Sequence, residues 1–100
     1  MNKAERLEYY KKATKKWGWD AQIDQIIEEM AELTVALNKY KRKKLFEDKS
    51  INKDFIENIF TELADVSICL EQMIDYFGEE SVNKAKTKQL SKFVNQIKTS

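Results

Sequence analysis

The sequence predicts an all-α fold: an antiparallel helical bundle of about four helices. Three observations carry this. The chain has no proline and two glycines, Gly18 and Gly78, so long helices are permitted everywhere else. Apolar residues recur at helical spacing in four stretches. Charged residues make up 35% of the chain beside 42% hydrophobic ones, which suits a soluble helical protein with one modest core and not a disordered chain. At 100 residues the chain is expected to form one domain, residues 1–100.

The first helix is expected from residue 3 to about 15, with Ala4, Leu7 and Tyr10 or Lys11 as a thin stripe. Trp17-Gly18-Trp19 breaks it, and Asp20 suits the N-cap of a second helix from about Ala21 to Lys41. The expected core stripe of that helix is Ile23, Ile26, Ile27, Met30, Leu33, Leu37 and Tyr40. A polar connection follows to about Asn52, where Ser50 or Asn52 can cap a third helix from about Lys53 to Phe77. Its stripe is Phe55 or Ile56, Ile59, Leu63, Val66, Leu70, Met73 or Ile74, and Phe77, and Gly78 is a natural stop. The fourth helix is expected over about Glu79 to Ile97, with Val82, Leu90, Phe93 and Ile97 as its stripe, Ala85 beside it and Lys86 within it.

Charge and composition narrow the function. A net charge of +1 points to no nucleic-acid or membrane binding, and the basic run Lys39 to Lys44 sits where cations favour a helix C-terminus. Cys69 is alone, the N-terminal residues are too charged for a signal peptide, and no apolar run approaches membrane-spanning length, so a cytoplasmic location is expected. Histidine is absent. That removes a histidine base, a histidine triad and histidine metal ligation, and one cysteine makes a zinc cluster a poor fit. Chemistry must run on carboxylates, amines and hydroxyls.

The middle two helices share one pattern. Ile26 to Leu37 aligns with Ile59 to Leu70 at an offset of 33 residues, so that Glu29 matches Glu62 and Glu32 matches Asp65. At about 100° per residue each acid pair lies beside the apolar stripe, on the same side in both helices, while Glu28 points nearly opposite. Such a duplication reads as a helical hairpin with local two-fold pseudo-symmetry, which carries the two acid pairs towards each other. Ala36 and Cys69 on the same side allow close approach. Four facing carboxylates repel unless some protonate or a cation binds. Oxygen-only ligation selects a hard divalent ion, chiefly Mg2+ or Mn2+, whose open positions take substrate phosphates. An acid-lined hairpin is therefore a reasonable seat for a nucleoside polyphosphate. A di-iron carboxylate bundle would need a Glu-x-x-His motif, which a chain without histidine lacks. One Glu-x-x-Glu alone would be an ordinary exposed helix face; the matched repeat is what favours a site.

The run Glu28-Glu29-Met30-Ala31-Glu32, followed by Glu62-Leu63-Ala64-Asp65, resembles the EExxE…ExxD signature of the MazG-like all-α nucleoside triphosphate pyrophosphohydrolases, with a separation slightly long for that pattern. The resemblance covers about Trp17 to Phe93. It implies Glu29, Glu32, Glu62 and Asp65 as magnesium ligands, with Glu28 supporting them or orienting water. The reaction it implies is NTP or dNTP plus water giving the monophosphate and pyrophosphate. A homodimer or dimer of dimers is implied as well, and Val35 and Ile68, apolar away from the main stripes, agree with a second buried side.

Trp17, Gly18 and Gln22 resemble the family's base-contacting entry segment: an indole can stack on a base and Gln22 can read a base edge. Both tryptophans could equally close the bundle end, the better reading for Trp19. Lys86 either snorkels or reaches the triphosphate. Gln89 stands where the family often has an arginine, and Lys88 or Lys92 could compensate. Two alternatives stay open: a non-catalytic helical interaction module of the same shape, and a narrower dUTP- or dCTP-directed pyrophosphatase.

Overall fold

A computed structural model describes residues 1–100 as four α-helices and no strand: α1 (Lys3–Trp17), α2 (Trp19–Leu45), α3 (Lys53–Phe77) and α4 (Glu79–Thr99). Its centre is the antiparallel hairpin of α2 and α3. Trp19 stacks on Tyr76 with ring centroids 3.4 Å apart, Gln72 donates a 2.9 Å hydrogen bond to Gln22, and Tyr40 stacks on Phe55 at the far end. The α2 partner climbs in number as the α3 partner falls, which fixes the antiparallel sense.

Local chemistry sets the helix ends. Asn2 caps α1 reciprocally: its side chain accepts from the Glu5 amide at 2.9 Å, and the Glu5 carboxylate accepts from the Asn2 amide. Gly18 alone joins α1 to α2. Its φ of 89° with ψ of 154° is a conformation only glycine adopts without strain. The second helix therefore starts at Trp19, ahead of the expected Ala21. Asp20 lies inside the first turn, where its charge still meets the positive end of the helix, and does not serve as the N-cap. Gly78 joins α3 to α4 in a similar way, with φ of 114°. Asn52 caps α3, accepting from the Phe55 amide at 3.0 Å, as one of the two expected caps.

The second helix also runs past Lys41, to Leu45. It ends in a Schellman motif: the Asp48 amide donates to the Lys43 carbonyl at 2.9 Å and the Glu47 amide to the Lys44 carbonyl at 3.2 Å, with Glu47 in the left-handed region at φ 49°. Glycine usually holds that position, and a glutamate there carries no stop signal in the sequence.

Burial corrects the expected stripes. The seam of the hairpin consists of Ile26, Glu29, Leu33, Ala36 and Tyr40 on α2 and Phe55, Ile59, Glu62, Val66, Cys69 and Met73 on α3, alternating in steps of three and four. Ile26 and Ile59 are both buried, as are Ala36 and Cys69, each pair related by the 33-residue offset. Ile27, Met30, Leu37, Leu63, Leu70 and Phe77, assigned to the core from their spacing, are exposed instead, and so is Phe60 beside them. The apolar pattern contains two adjacent heptad faces, and a single average stripe merged them. One face closes the hairpin. The other looks outwards, on the opposite flank of the seam from the acids.

The fourth helix departs most from the expected bundle. Its backbone approaches α3 alone; Val82 is half-buried, but Leu90, Phe93 and Ile97 are exposed. The Cα radius of gyration is 17.1 Å, against about 13 Å for a compact chain of 100 residues.

Candidate metal centre and its flanking clefts

Once the seam is in register, the acids follow. Glu29 occupies a seam position on α2, and Glu32 lies one turn on, at the edge facing α3. Glu62 occupies the equivalent seam position on α3. One carboxylate oxygen from each of Glu29, Glu32 and Glu62 lies within 4.8 Å of the other two. Glu29 and Glu62 are half-buried and Glu32 is exposed. The Oε2 atoms of Glu29 and Glu62 are shut off from solvent, and neither has a hydrogen-bond partner. The other Glu29 oxygen, Oε1, accepts from Gln25 Nε2 at 2.8 Å.

No lysine or arginine pairs with these acids; the ion pairs of the chain are Lys3–Glu79, Arg6–Glu71, Lys43–Asp48 and Lys53–Glu57. Partial burial, then the neighbouring charges of Glu32, Asp65 and Glu28, push the Glu29 carboxyl above the ordinary carboxylate range. Glu71 shows the contrast. It accepts from Arg6 Nε at 2.7 Å and from the Tyr10 hydroxyl at 2.8 Å, and these bonds hold its carboxyl down at about 2. The chain thus neutralises the acid that fastens α1 to α3 and leaves the seam acids uncompensated. An oxygen-only donor set with two buried, unpartnered oxygens fits a hard divalent cation.

Asp65 stands outside the close trio, near enough for its charge to act on Glu29 and on the buried Cys69 thiol. That thiol is pushed up first by burial and then by Glu29 and Asp65, so it favours its protonated, unreactive form.

Two clefts flank the cluster. The first, of about 610 Å³, lies between α1 and the hairpin, with Glu29, Asp65, Cys69 and Gln72 towards the hairpin and Tyr9, Lys12, Lys16 and Trp17 on α1. The second, of about 740 Å³, runs towards the hairpin turn and includes Glu28, Glu32, Glu62, Lys39, Asn52 and Asp54. Val35 and Ile68 stay exposed in the single chain, one on each cleft.

Of the residues singled out from the sequence, the structure brings together Glu29, Glu32 and Glu62, sets Asp65 beside them, and places Glu28 in the second cleft and Trp17 in the first. Gln22 lines neither of these clefts; its side-chain carbonyl is engaged by Gln72. Lys86 and Lys88 are exposed on α4 and line neither cleft. Tyr9, Lys12 and Lys16 escaped sequence reading. The spacing of Tyr9, Lys12, Lys16 and Trp17 places them on one helical face, but a face that mixes lysines with aromatics shows no apolar stripe.

No protein-family model matches the chain, and no solved structure does. Two curated relatives are similar over part of it. Both are UDP-N-acetylmuramoylalanine--D-glutamate ligases of Campylobacter jejuni, from strains 81-176 and 81116, each 37% identical over 71 residues and matching 62% of this chain. The chain spans 18% of the length of either ligase.

Proposed function

We propose that the chain is a magnesium-dependent nucleotide pyrophosphohydrolase of the MazG-like kind, converting an NTP or dNTP to the monophosphate and pyrophosphate. The observation that carries this reading is the acid trio of the seam, with two buried oxygens that have no partner and no cationic side chain to compensate them. Glu29, Glu32 and Glu62 would hold Mg2+ (or Mn2+), with Asp65 completing the set from the first cleft. The bound ion would supply charge neutralisation for the polyphosphate and a more acidic water. Glu28, exposed beside Glu32, accepts a proton from the attacking water as its oxygen bonds to the α-phosphorus; the bond from that phosphorus to the bridging oxygen breaks, and pyrophosphate leaves with the electron pair. Trp17 on the first cleft offers an indole face to the base.

A second copy of the chain is part of the proposal. The accessible surface is 8194 Å², against about 5,900 Å² for a folded monomer of 11.8 kDa. The excess is the size of surface that a permanent homodimer covers. The outward face of Ile27, Met30, Phe60 and Leu63, together with Leu90, Phe93 and Ile97 of α4, provides it. Such a dimer, or a dimer of dimers, could bring Lys86 and Lys88 of one copy to the acids of the other.

The test is pyrophosphate release from a panel of canonical and modified nucleotides, with and without MgCl2. Glu32→Gln and Asp65→Asn should each lower turnover at least a hundredfold while helix content is retained. No release from any nucleotide by the wild type would leave a non-catalytic helical module as the reading.

A further inference from the structure

We propose that Lys12 and Lys16 of α1 are the cations that receive the substrate's polyphosphate, an assignment that rests on the hydrolase reading and supplies phosphate-binding groups from within one chain. Within one chain, neither Lys86 nor Lys88 reaches a cleft beside the acids. Lys12 and Lys16 do: they line the first cleft together with Glu29 and Asp65. Neither lysine is in an ion pair, whereas Lys3, Arg6, Lys43 and Lys53 each have a carboxylate partner.

The charge balance of the two clefts chooses between them. The second sets Glu28, Glu32, Asp54 and Glu62 against the single Lys39, and it repels a polyphosphate even with one divalent ion in place. In the first, Lys12 and Lys16 share the cleft with Glu29 and Asp65 without pairing with either, so once a divalent ion sits on Glu29, Glu32, Glu62 and Asp65 the two lysines cancel the negative charge that remains and the cleft no longer repels a polyphosphate. The lysines are also steadied. Lys12 Nζ lies 4.9 Å from the centroid of the Tyr9 ring and Lys16 Nζ lies 5.0 Å from that of Trp17. Such contacts hold an ammonium by its charge and leave its N–H donors free for phosphate oxygens. The helix that carries them is fastened to α3 by the bonds from Arg6 and Tyr10 to Glu71. The β- and γ-phosphates thus lie against the basic face of α1, and the α-phosphorus stays at the acid trio, where the two clefts meet and Glu28 stands on the second.

Calorimetric titration of the full chain with inorganic tripolyphosphate in MgCl2 tests this without asking for turnover. The double variant Lys12→Ala/Lys16→Ala should weaken binding at least fivefold. Lys41→Ala/Lys98→Ala, which removes the same charge from exposed positions outside both clefts, should stay within twofold of wild type. The Lys12→Ala/Lys16→Ala chain should keep its thermal shift with MgCl2 alone, which separates phosphate capture from damage to the acid cluster. A loss below fivefold, an equal loss in the control pair, a lost magnesium shift, or no tripolyphosphate binding by the wild type would each overturn the assignment. Lysine-dependent tripolyphosphate binding by a wild type that hydrolyses no nucleotide would support the lysines and refute the hydrolase.

Discussion

Adding magnesium should raise the melting temperature of this chain well beyond any general salt effect. Three carboxylate oxygens converge within 4.8 Å, two acids present buried oxygens with no partner, and no lysine or arginine answers them. An ion that binds only the folded arrangement stabilises it by mass action, by about 2.7 kcal/mol at a hundred times its dissociation constant. For a domain of about 100 residues each kcal/mol moves the midpoint by about 4–8 °C, so saturating Mg2+ should shift it by about 10–20 °C. Differential scanning fluorimetry with MgCl2, and with NaCl at matched ionic strength, reads this directly. Glu62→Gln removes one of the two buried, unpartnered carboxylates. It should leave the metal-free chain at least as stable as wild type and abolish most of the magnesium shift. Equal midpoints for the wild type in the two salts would refute the reasoning, because an uncompensated acid cluster that ignores divalent ions is not a metal site.

The other predictions concern the frame around the site. Met30→Glu combined with Leu63→Glu should convert a dimer or larger species to monomer in sedimentation velocity, with helical circular dichroism retained; a wild type that sediments as a monomer at tens of micromolar would end the oligomer argument. The Arg6–Glu71–Tyr10 cluster sets two pH limbs. Glu71 is held at about 2, so its contribution is present above the ordinary carboxylate value and fades as pH falls towards 2. Tyr10 is pushed up to about 12, first by burial and then by its bond to Glu71, so its contribution is present below its ordinary value of 10 and fades as pH rises through 12. Urea unfolding against pH should show both limbs, and Glu71→Gln should flatten the acid one. Gly18→Ala should cost about 1–3 kcal/mol in the same assay although nothing lies within 4 Å of the added methyl, because the cost is backbone strain.

The helix count, the third helix from Lys53 to Phe77, the Asn52 cap and the Gly78 stop were legible in the sequence because each depends on local chemistry. Glu29, Glu32 and Glu62 were legible too, since the 33-residue repeat imposes a pseudo-two-fold on any hairpin built from it. What stayed hidden was relational. Periodicity says that Ile27 and Leu63 are apolar and regularly spaced, but not whether they face the rest of the chain or solvent. Gln22 looked free to read a base because nothing local reveals Gln72, fifty residues away, as its partner. The basic face of α1 was invisible for a similar reason: lysines on a helix read as solvated until a second element is seen to make a cleft with them.

The bond between Gln22 and Gln72 has a consequence for how the hairpin can assemble. Aliphatic contacts along a heptad seam tolerate sliding, since one rung of leucines and isoleucines resembles the next. Two amides that satisfy each other do not. Displacing α3 by seven residues would strand both, at about 1–3 kcal/mol for each unanswered group, and would carry Glu62 a full two turns away from Glu29. A neutral pair near the open end of the hairpin thus acts as an alignment key, and the convergence of charges about two to three turns away depends on that key being seated.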